Sequence, residues 1–395
     1  MPEEERPKLE IISGGTNLNL FPKPDEIEIS IFGPGYGECI AIHLGLDHWF
    51  IVDSCIDIHT KSPAVLSYFK MLNIDPSVSV KQIIATHWHD DHIRGLAETF
   101  EACKSARLVL SDALKFNEFL QLVMSGSETM IDSSGTDELH RVIEILRDRN
   151  HVPFFAIQGR TIWKDVIDNG ESALVRCEVV SLSPSDSAVL ASRLEFAKLL
   201  PNAGETKGWV PPITPNNASV VVRLQVGNFS ILLGADLEER GEPETGWSAI
   251  INAHSPEDGK SSAFKIPHHG SKTGHHDRVW QDMLTGQPVA VLTPFHRGNV
   301  KLPTDDDVRR LLSYTPNVFM TCGVEKKSVK RDHTIEKAIK EAVRNIRALD
   351  SSFGHVRIRF RPPNLATVEL FGDARRLELP PGPSKNASKK GKAKT

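Results

Sequence analysis

Ile83-Ile84-Ala85-Thr86-His87-Trp88-His89-Asp90-Asp91-His92 carries an apolar run straight into three histidines and two aspartates within six positions. Gln82 to Ala85 reads as the end of a buried strand. Imidazole nitrogen and carboxylate oxygen are natural donors for zinc, and for manganese or iron. His87 and His89 are two residues apart, so an extended backbone points them the same way. Asp91 and His92 follow where the chain turns into a helix. Two groups of donors at slightly different heights suit two ions a few ångströms apart. In-line hydrolysis uses that arrangement, one ion generating hydroxide and both steadying the developing charge. A strand-to-helix loop merely rich in histidine accounts poorly for five ionisable residues in six positions, because buried charge needs partners or a metal.

The pattern His-x-His-x-Asp-His after a strand resembles the signature of the metallo-β-lactamase fold superfamily. The resemblance implies an α/β fold, an αββα sandwich of two mixed sheets flanked by helices, with metals at one edge. It implies Zn2+ as cofactor, one or two ions, with Mn2+ or another divalent metal as substitutes. His87, His89, Asp91 and His92 would be ligands.

Composition sets outer bounds. The chain has 395 residues, 39% hydrophobic and 25% charged, which are ordinary globular values. The net charge of −4 gives no bulk nucleic-acid footprint, so any such binding uses a local patch. No apolar run approaches membrane-spanning length, and Met1 to Lys8 lacks a signal-peptide core. Five widely spaced cysteines, an odd number, read as reduced core residues of a cytoplasmic protein.

Along the chain, residues 1–25 read as a loose polar arm and 26–322 as the hydrolase domain. Glu26 to Phe32, Cys39 to His43 and Trp49 to Asp53 are expected strands. Asp53 ends the third; alone it is a strand-end cap, and by resemblance it supports the metal ligands from behind. Helices are expected over Ser62–Leu72, Arg94–Phe100, Ala113–Met124, Glu138–Arg149 and Ser187–Leu200. Polar loops, Ser125–Gly135 and Pro201–Pro215, lie between. Ser219 to Val226 and Phe229 to Leu233 read as a hairpin turning at Gly227-Asn228. Gly234-Ala235-Asp236 follows: a carboxylate ending an apolar strand needs charge compensation. The resemblance makes Asp236 the residue bridging two metals; the alternative is a helix N-cap for Leu237-Glu238-Glu239.

Ala263 to Pro267 is a short strand running into His268-His269-Gly270-Ser271-Lys272. Adjacent histidines point apart on an extended chain, so one is the ligand. His269 is preferred for metal, and His268 for contact with the scissile group. Ser271 and Lys272 suit an anionic substrate, or form a solvated turn. The basic loop holding His296 and Arg297 is a phosphate-binding candidate, or a surface loop. His140, His151, His275 and His276 read as exposed or structural.

Residues 323–383 form a C-terminal extension: a helix over Thr334–Leu349, then a hairpin of His355–Phe360 and Ala366–Phe371, offering a surface for a protein partner. Arg357, Arg359 and Arg361 alternate and give one basic strand face for a nucleic-acid backbone. Residues 384–395 are a lysine-rich disordered tail.

Gly35-Tyr-Gly-Glu-Cys-Ile-Ala-Ile, Asn217-Ala-Ser-Val-Val-Val-Arg-Leu with Leu-Leu-Gly-Ala-Asp, and Lys-Ile-Pro-His-His-Gly-Ser-Lys resemble the metallo-β-lactamase domains attached to ComEC, the bacterial DNA-uptake channel. That branch implies a nuclease-like hydrolase of phosphodiesters, here without membrane segments. Two departures stand out. Ser181 to Asp186 lacks the further metal histidine often found there. Leu302-Pro303 replaces a His-Pro, with His296 nearby. The expected activity is a nuclease or phosphodiesterase working through metal-activated hydroxide, with Asp91 orienting the water and His268 donating to the oxyanion or leaving group. The alternatives are a hydrolase of small esters, lactones or phosphoesters, and a metal-stabilised subunit that recruits partners without catalysis.

Overall fold

In the strand Cys39–His43, Ile40 and Ile42 face one apolar layer while Cys39 and Ala41 face another, and all five residues are buried. Strand side chains alternate between faces, so a fully buried strand must be covered on both sides. This two-sided cover repeats in the neighbouring strands and defines the architecture. The computed structural model describes residues 8–14, 17–34, 36–115, 134–168, 174–199, 215–323, 352–361 and 365–380.

Strands are numbered along the chain. The first sheet has nine, in the spatial order Lys8–Ser13 (β1), Leu365–Gly372 (β18), Gly354–Arg361 (β17), Ile27–Gly33 (β2), Cys39–His43 (β3), Trp49–Val52 (β4), Val80–Ile84 (β5), Arg107–Ser111 (β6) and Phe154–Ala156 (β7). The second has eight: Arg375–Arg376 (β19), Val318–Met320 (β16), Leu284–Leu292 (β13), Ser261–Lys265 (β12), Phe229–Leu233 (β11), Val222–Val226 (β10), Leu174–Ser181 (β9) and Arg160–Asp168 (β8). Both sheets are mixed: β4 to β7 run parallel, as do β11, β12, β13 and β16, while hairpin neighbours run antiparallel.

The layer between the sheets is aliphatic. Ile29, Ile31, Ile42, Val52 and Ile84 of the first sheet meet Val179, Leu224, Ile231, Leu233 and Val291 of the second. The outer face of the first sheet is covered by helices Ala64–Leu72, Leu96–Ala102 and Ser134–Asp148, through Phe69, Phe100 and Val142. Helices Gly246–Ala253 and Asp305–Tyr314 cover the outer face of the second, through Trp247, Ile250 and Leu311. The protein is therefore an α/β sandwich layered helix, sheet, sheet, helix. All five cysteines are free and buried. Among the described residues no helix is long and apolar enough to cross a membrane.

Several elements differ from the sequence reading. The helix after His92 is broken: Asp90–Ile93 and Leu96–Ala102 are separate, with Gly95 at φ +79° between them. A side chain at Gly95 would put Cβ 2.7 Å from Ile56 Cδ1, so both the turn and the close approach require glycine. Lys8 to Ser13, expected in a loose arm, pairs in parallel with β18. The hairpin β17–β18, set apart by sequence beyond residue 322, lies inside the first sheet, with β17 against β2. The loop after β13 is a small ribbon, Phe295–Arg297 (β14) against Val300–Leu302 (β15).

The basic face expected on β17 is absent as such. Arg357 is fully buried, with Nε 2.7 Å from Glu369 Oε2. Arg359 pairs with Glu28 at 2.7 Å and Arg361 with Glu26 at 3.1 Å. Arg357 also donates to the carbonyls of Asn17 and Leu18, so these arginines neutralise neighbouring strands and pin the N-terminal segment. The helix expected over Ala113–Met124 lies outside the described residues beyond position 115, where Asp112–Leu114 forms a short 3-10 turn. Thr334–Leu349, the tail 384–395, and nearly all of the two expected loops also lie outside them.

Candidate metal centre

Parallel strands deliver the site, because their C-terminal ends meet at one edge of the sandwich. β4 ends into Asp53, β5 into Thr86–His92, β11 into Asp236, β12 into His268-His269, and β13 into Thr293. Polar residues at the ends of apolar strands have no further sheet partners and turn towards one another.

Asp91, His92, Asp236 and His269 come together. Each offers one ligand atom, and the four atoms lie within 4.8 Å of one another. His269 Nε2 is 3.2 Å from Asp91 Oδ2 and 3.3 Å from Asp236 Oδ2. His92 Nε2 is 3.4 Å from Asp236 Oδ1 and 3.8 Å from Asp91 Oδ2. All four residues are buried. Both imidazoles are fixed from behind: His92 Nδ1 lies 2.7 Å from Asp53 Oδ2, and His269 Nδ1 donates to the Thr293 carbonyl at 3.0 Å. These contacts leave each Nε2 facing the centre. Asp53 sits at φ +59° and accepts from the Thr86 amide and hydroxyl, each at 2.7 Å. No helix begins at Leu237, so Asp236 is not an N-cap.

The donor set fits a divalent cation. His92 Nε2 and Asp236 Oδ1 are buried without a well-formed hydrogen bond, which is costly unless something else satisfies them. Two imidazoles and two carboxylates suit zinc, manganese or iron. The electrostatics agree. Burial alone would push the His269 pKa down, but Asp236 and Asp91 raise it to about 9. Burial likewise opposes charge on His92, and the carboxylates of Asp236, Asp91 and Asp53 outweigh it, raising it well above the usual value. Burial of Asp236 is outweighed by His269 and His92, which hold it well below the carboxylate range. The carboxylates thus favour positive charge at this centre, which a divalent cation would supply.

His87 and His89 stand beside the four rather than among them. His87 packs on His92 with ring centroids 4.2 Å apart, and its Nε2 is 3.2 Å from His89 Nδ1. Burial, then neighbouring imidazoles, lower the pKa of His87 well below 6.5; burial also lowers that of His89. Both are therefore neutral donors. Ser183, in the segment lacking histidine, commits its hydroxyl to the Ser219 carbonyl at 2.5 Å and to the Val221 amide at 2.8 Å. That segment offers the pair no third ligand.

His269 is the member of its pair that enters the cluster. His268, with 21% of its side chain exposed, turns outward: Nδ1 is 2.7 Å from Thr273 Oγ1 and 3.5 Å from Glu238 Oε1. The chain here is not extended. Both histidines have left-handed backbones, φ +46° and +54°, so strand alternation does not decide between them. Ser271 and Lys272 lie on the adjoining turn, where Ser271 Oγ accepts from the Thr273 amide and Lys272 is exposed. His296 and Arg297 lie on β14. Arg297 donates to Tyr36 Oη at 2.7 Å and stacks over its ring at 5.1 Å. Tyr36 is pushed up to about 12 by burial and by the charge of Asp91, so this tyrosine, read in the sequence only as part of the glycine-rich turn, stands near the aspartate side of the centre. Phe295 packs between Tyr36 and His269. Glu38, Lys265 and Thr293 were also not foreseen. The available signals were the places of Glu38 and Lys265 inside the two sequence blocks that resemble ComEC-type domains, and a lysine flanked by Phe264 and Ile266.

No protein-family model matches the sequence, and no curated protein matches it. Among solved structures, the chain is similar to the metallo-β-lactamase fold protein YhfI from Bacillus subtilis, with 11% identity and a TM-score of 0.35, covering 76% of this chain and 96% of that one. It is similar to MEM-A1, a subclass B3 metallo-β-lactamase from a soil metagenome library, with 11% identity and a TM-score of 0.32, covering 64% and 83%. Zn(2+)-bound PqqB from Methylobacterium extorquens gives 11% identity and a TM-score of 0.27, covering 58% and 59%.

Proposed function

We propose that this chain is a metal-dependent hydrolase of the metallo-β-lactamase superfamily, acting on phosphodiesters, with nucleic acid as the substrate class. The observation that carries the hydrolase reading is the buried cluster of Asp91, His92, Asp236 and His269, with its unsatisfied inward-facing atoms. His87 and His89 hold a second, weaker position. A divalent metal held by Asp91, His92, Asp236 and His269 would supply Lewis-acid polarisation and would lower the pKa of a bound water to the neutral range.

The protein's own groups do the rest. Asp53 and Thr293 hold His92 and His269 in the tautomer that presents Nε2. Asp91 accepts a hydrogen bond from the attacking water and fixes its direction. His268 sits at the partly exposed rim, where its imidazole is placed to pass a proton to a leaving oxygen. Arg297 and Lys272 supply positive charge at the rim for a phosphate. Support for the phosphodiester class comes from these cations and from the ComEC-like sequence blocks.

A small ester or phosphoester is the second reading, favoured by the apolar wall that Phe295 and Tyr36 raise beside His269. The test is cleavage of linear, circular and single-stranded DNA, of RNA and of a panel of small esters, lactones and phosphodiesters. Zinc or manganese is supplied, and the parent is compared with Asp236→Ala and His269→Ala. Metal-dependent cleavage of nucleic acid by the parent alone is expected. Turnover confined to small substrates would move the assignment to the second reading. Stoichiometric metal with no turnover anywhere would favour a non-catalytic partner-recruiting subunit.

A further inference from the structure

Glu38 and Lys265 form an ion pair, Nζ to Oε1 2.7 Å, in which the two side chains are 1% and 0% exposed. Glu38 precedes β3 in the first sheet and Lys265 ends β12 in the second, so the pair crosses between the sheets at the edge where the cluster lies. Stability does not account for it. Desolvating two charges costs about as much as their attraction returns, and an apolar pair of similar volume often serves a core as well or better.

The side-chain contacts of the pair are directional and lead to His269 and Asp236, and the Glu38 backbone ties the pair to a third cluster residue, Asp91. The Glu38 amide donates to the Asp91 carbonyl at 2.8 Å. Glu38 Oε2 accepts from Thr293 Oγ1 at 2.5 Å, and the Thr293 carbonyl accepts from His269 Nδ1 at 3.0 Å. Lys265 Nζ donates to the Ala235 carbonyl at 2.9 Å and lies 3.8 Å from Asp236 Oδ1. Ala235 has φ +46°, a conformation that a non-glycine residue keeps only when its surroundings hold it. Asp91 and His92 belong to the first-sheet side of the site, and Asp236 and His269 to the second.

We infer that Glu38 and Lys265 are positioning residues that lock the first-sheet ligand Asp91 against the second-sheet ligands Asp236 and His269, and so set the geometry of the metal centre. The inference rests on the metal-centre reading above, but not on the substrate. An apolar pair would fill the same space without aiming the Thr293 hydroxyl, the Ala235 carbonyl or the Asp236 carboxylate.

The experiment compares the full-length parent with Glu38→Gln, Lys265→Met and the double variant Glu38→Met/Lys265→Met. Three quantities are read: zinc affinity by chelator competition, the visible absorption of the cobalt(II)-loaded protein, and the denaturant midpoint of the metal-free protein. Each single variant should lose roughly 10–100-fold in zinc affinity, the range typical for residues that support ligands. The double variant should regain the metal-free stability of the parent, yet remain weakened in zinc affinity with an altered cobalt spectrum. Parental affinity and spectrum in the double variant would overturn the proposal. So would a double variant that fails to fold, because the pair would then serve the fold itself. A parent that takes up no zinc or cobalt would overturn the metal-centre reading as well, whereas metal-binding variants indistinguishable from a metal-binding parent would remove this inference alone.

Discussion

His269 and His87 are both buried imidazoles at strand ends, yet their surroundings assign them different weights. His269 Nε2 lies within 3.3 Å of two carboxylates, and its other nitrogen is fixed by a carbonyl. His87 has another imidazole, that of His89, as its neighbour at 3.2 Å. Replacing His269 by alanine should therefore cost more zinc affinity than the roughly 10–100-fold typical of losing a supporting residue, and His87→Ala less. Chelator competition measures both, and equal losses would show that all six ligand candidates act as one site. The cluster residues were legible in the sequence because a carboxylate or imidazole ending an apolar strand stands out against its neighbours. Glu38 and Lys265 were not. A glutamate in a glycine-rich turn reads as surface, and a single lysine in a short strand reads as its outward face. Their burial is imposed by the opposing sheet, which no local pattern encodes. The choice between His268 and His269 was open for a related reason: strand alternation assumes an extended chain, and both residues adopt left-handed turns instead.

At the scale of elements, β17 shows how alternation can be right about spacing and silent about meaning. Arg357, Arg359 and Arg361 do share one face, but Glu369 on β18 and Glu28 and Glu26 beside them on the β2 side complete an ion-pair ladder across neighbouring strands. Those partners lie more than 300 residues away for Arg359 and Arg361, so no window along the sequence contains both members. Arg357→Leu leaves the Glu369 carboxylate without its partner in a buried strand pair. It should cost about 3–5 kcal/mol by denaturant titration, the range for breaking a buried pair from one side. Nucleic-acid affinity of the folded fraction should not change. A variant with parental stability and weakened nucleic-acid binding would restore the basic-face reading. The inner strands were the most legible elements, because β3 and β4 are apolar nearly throughout, as strands covered on both sides must be, while β2 alternates through Glu28 and Ser30. The helix after His92 was misjudged because its break depends on Gly95 meeting Ile56, a contact from another part of the chain.

For the whole molecule, the sandwich followed from the motif and the order of strands, while the return of the C-terminal hairpin into the first sheet did not, because nothing local records which edge a distant hairpin fills. The closed edge concentrates charge in one place, and this gives the protein a pH signature. His269, raised to about 9, and His92, raised well above its usual value, are protonated in the folded, metal-free protein, whereas in the unfolded chain they titrate near about 6.5. A group with a raised folded pKa adds stability that is fully present below its unfolded value and lost as pH rises towards its folded value. Metal-free protein should therefore lose stability between about pH 6.5 and 8, below the range where unfolded thiols ionise. His43, lowered to about 4, and His355, lowered well below its usual value, owe those shifts first to burial, and their contribution to stability is already complete above about pH 6.5. Zinc requires both raised imidazoles in the neutral form, so its uptake at pH 7 should release about two protons, none of them from His87 or His89, which are already neutral. Calorimetric titration in two buffers of different ionisation enthalpy counts those protons, and thermal melts with and without zinc follow the stability change. Zinc-loaded protein should lack the decline across that window. Zinc binding without proton release would show that His92 and His269 are not the nitrogen ligands, and the tight site would have to be sought at His87 and His89.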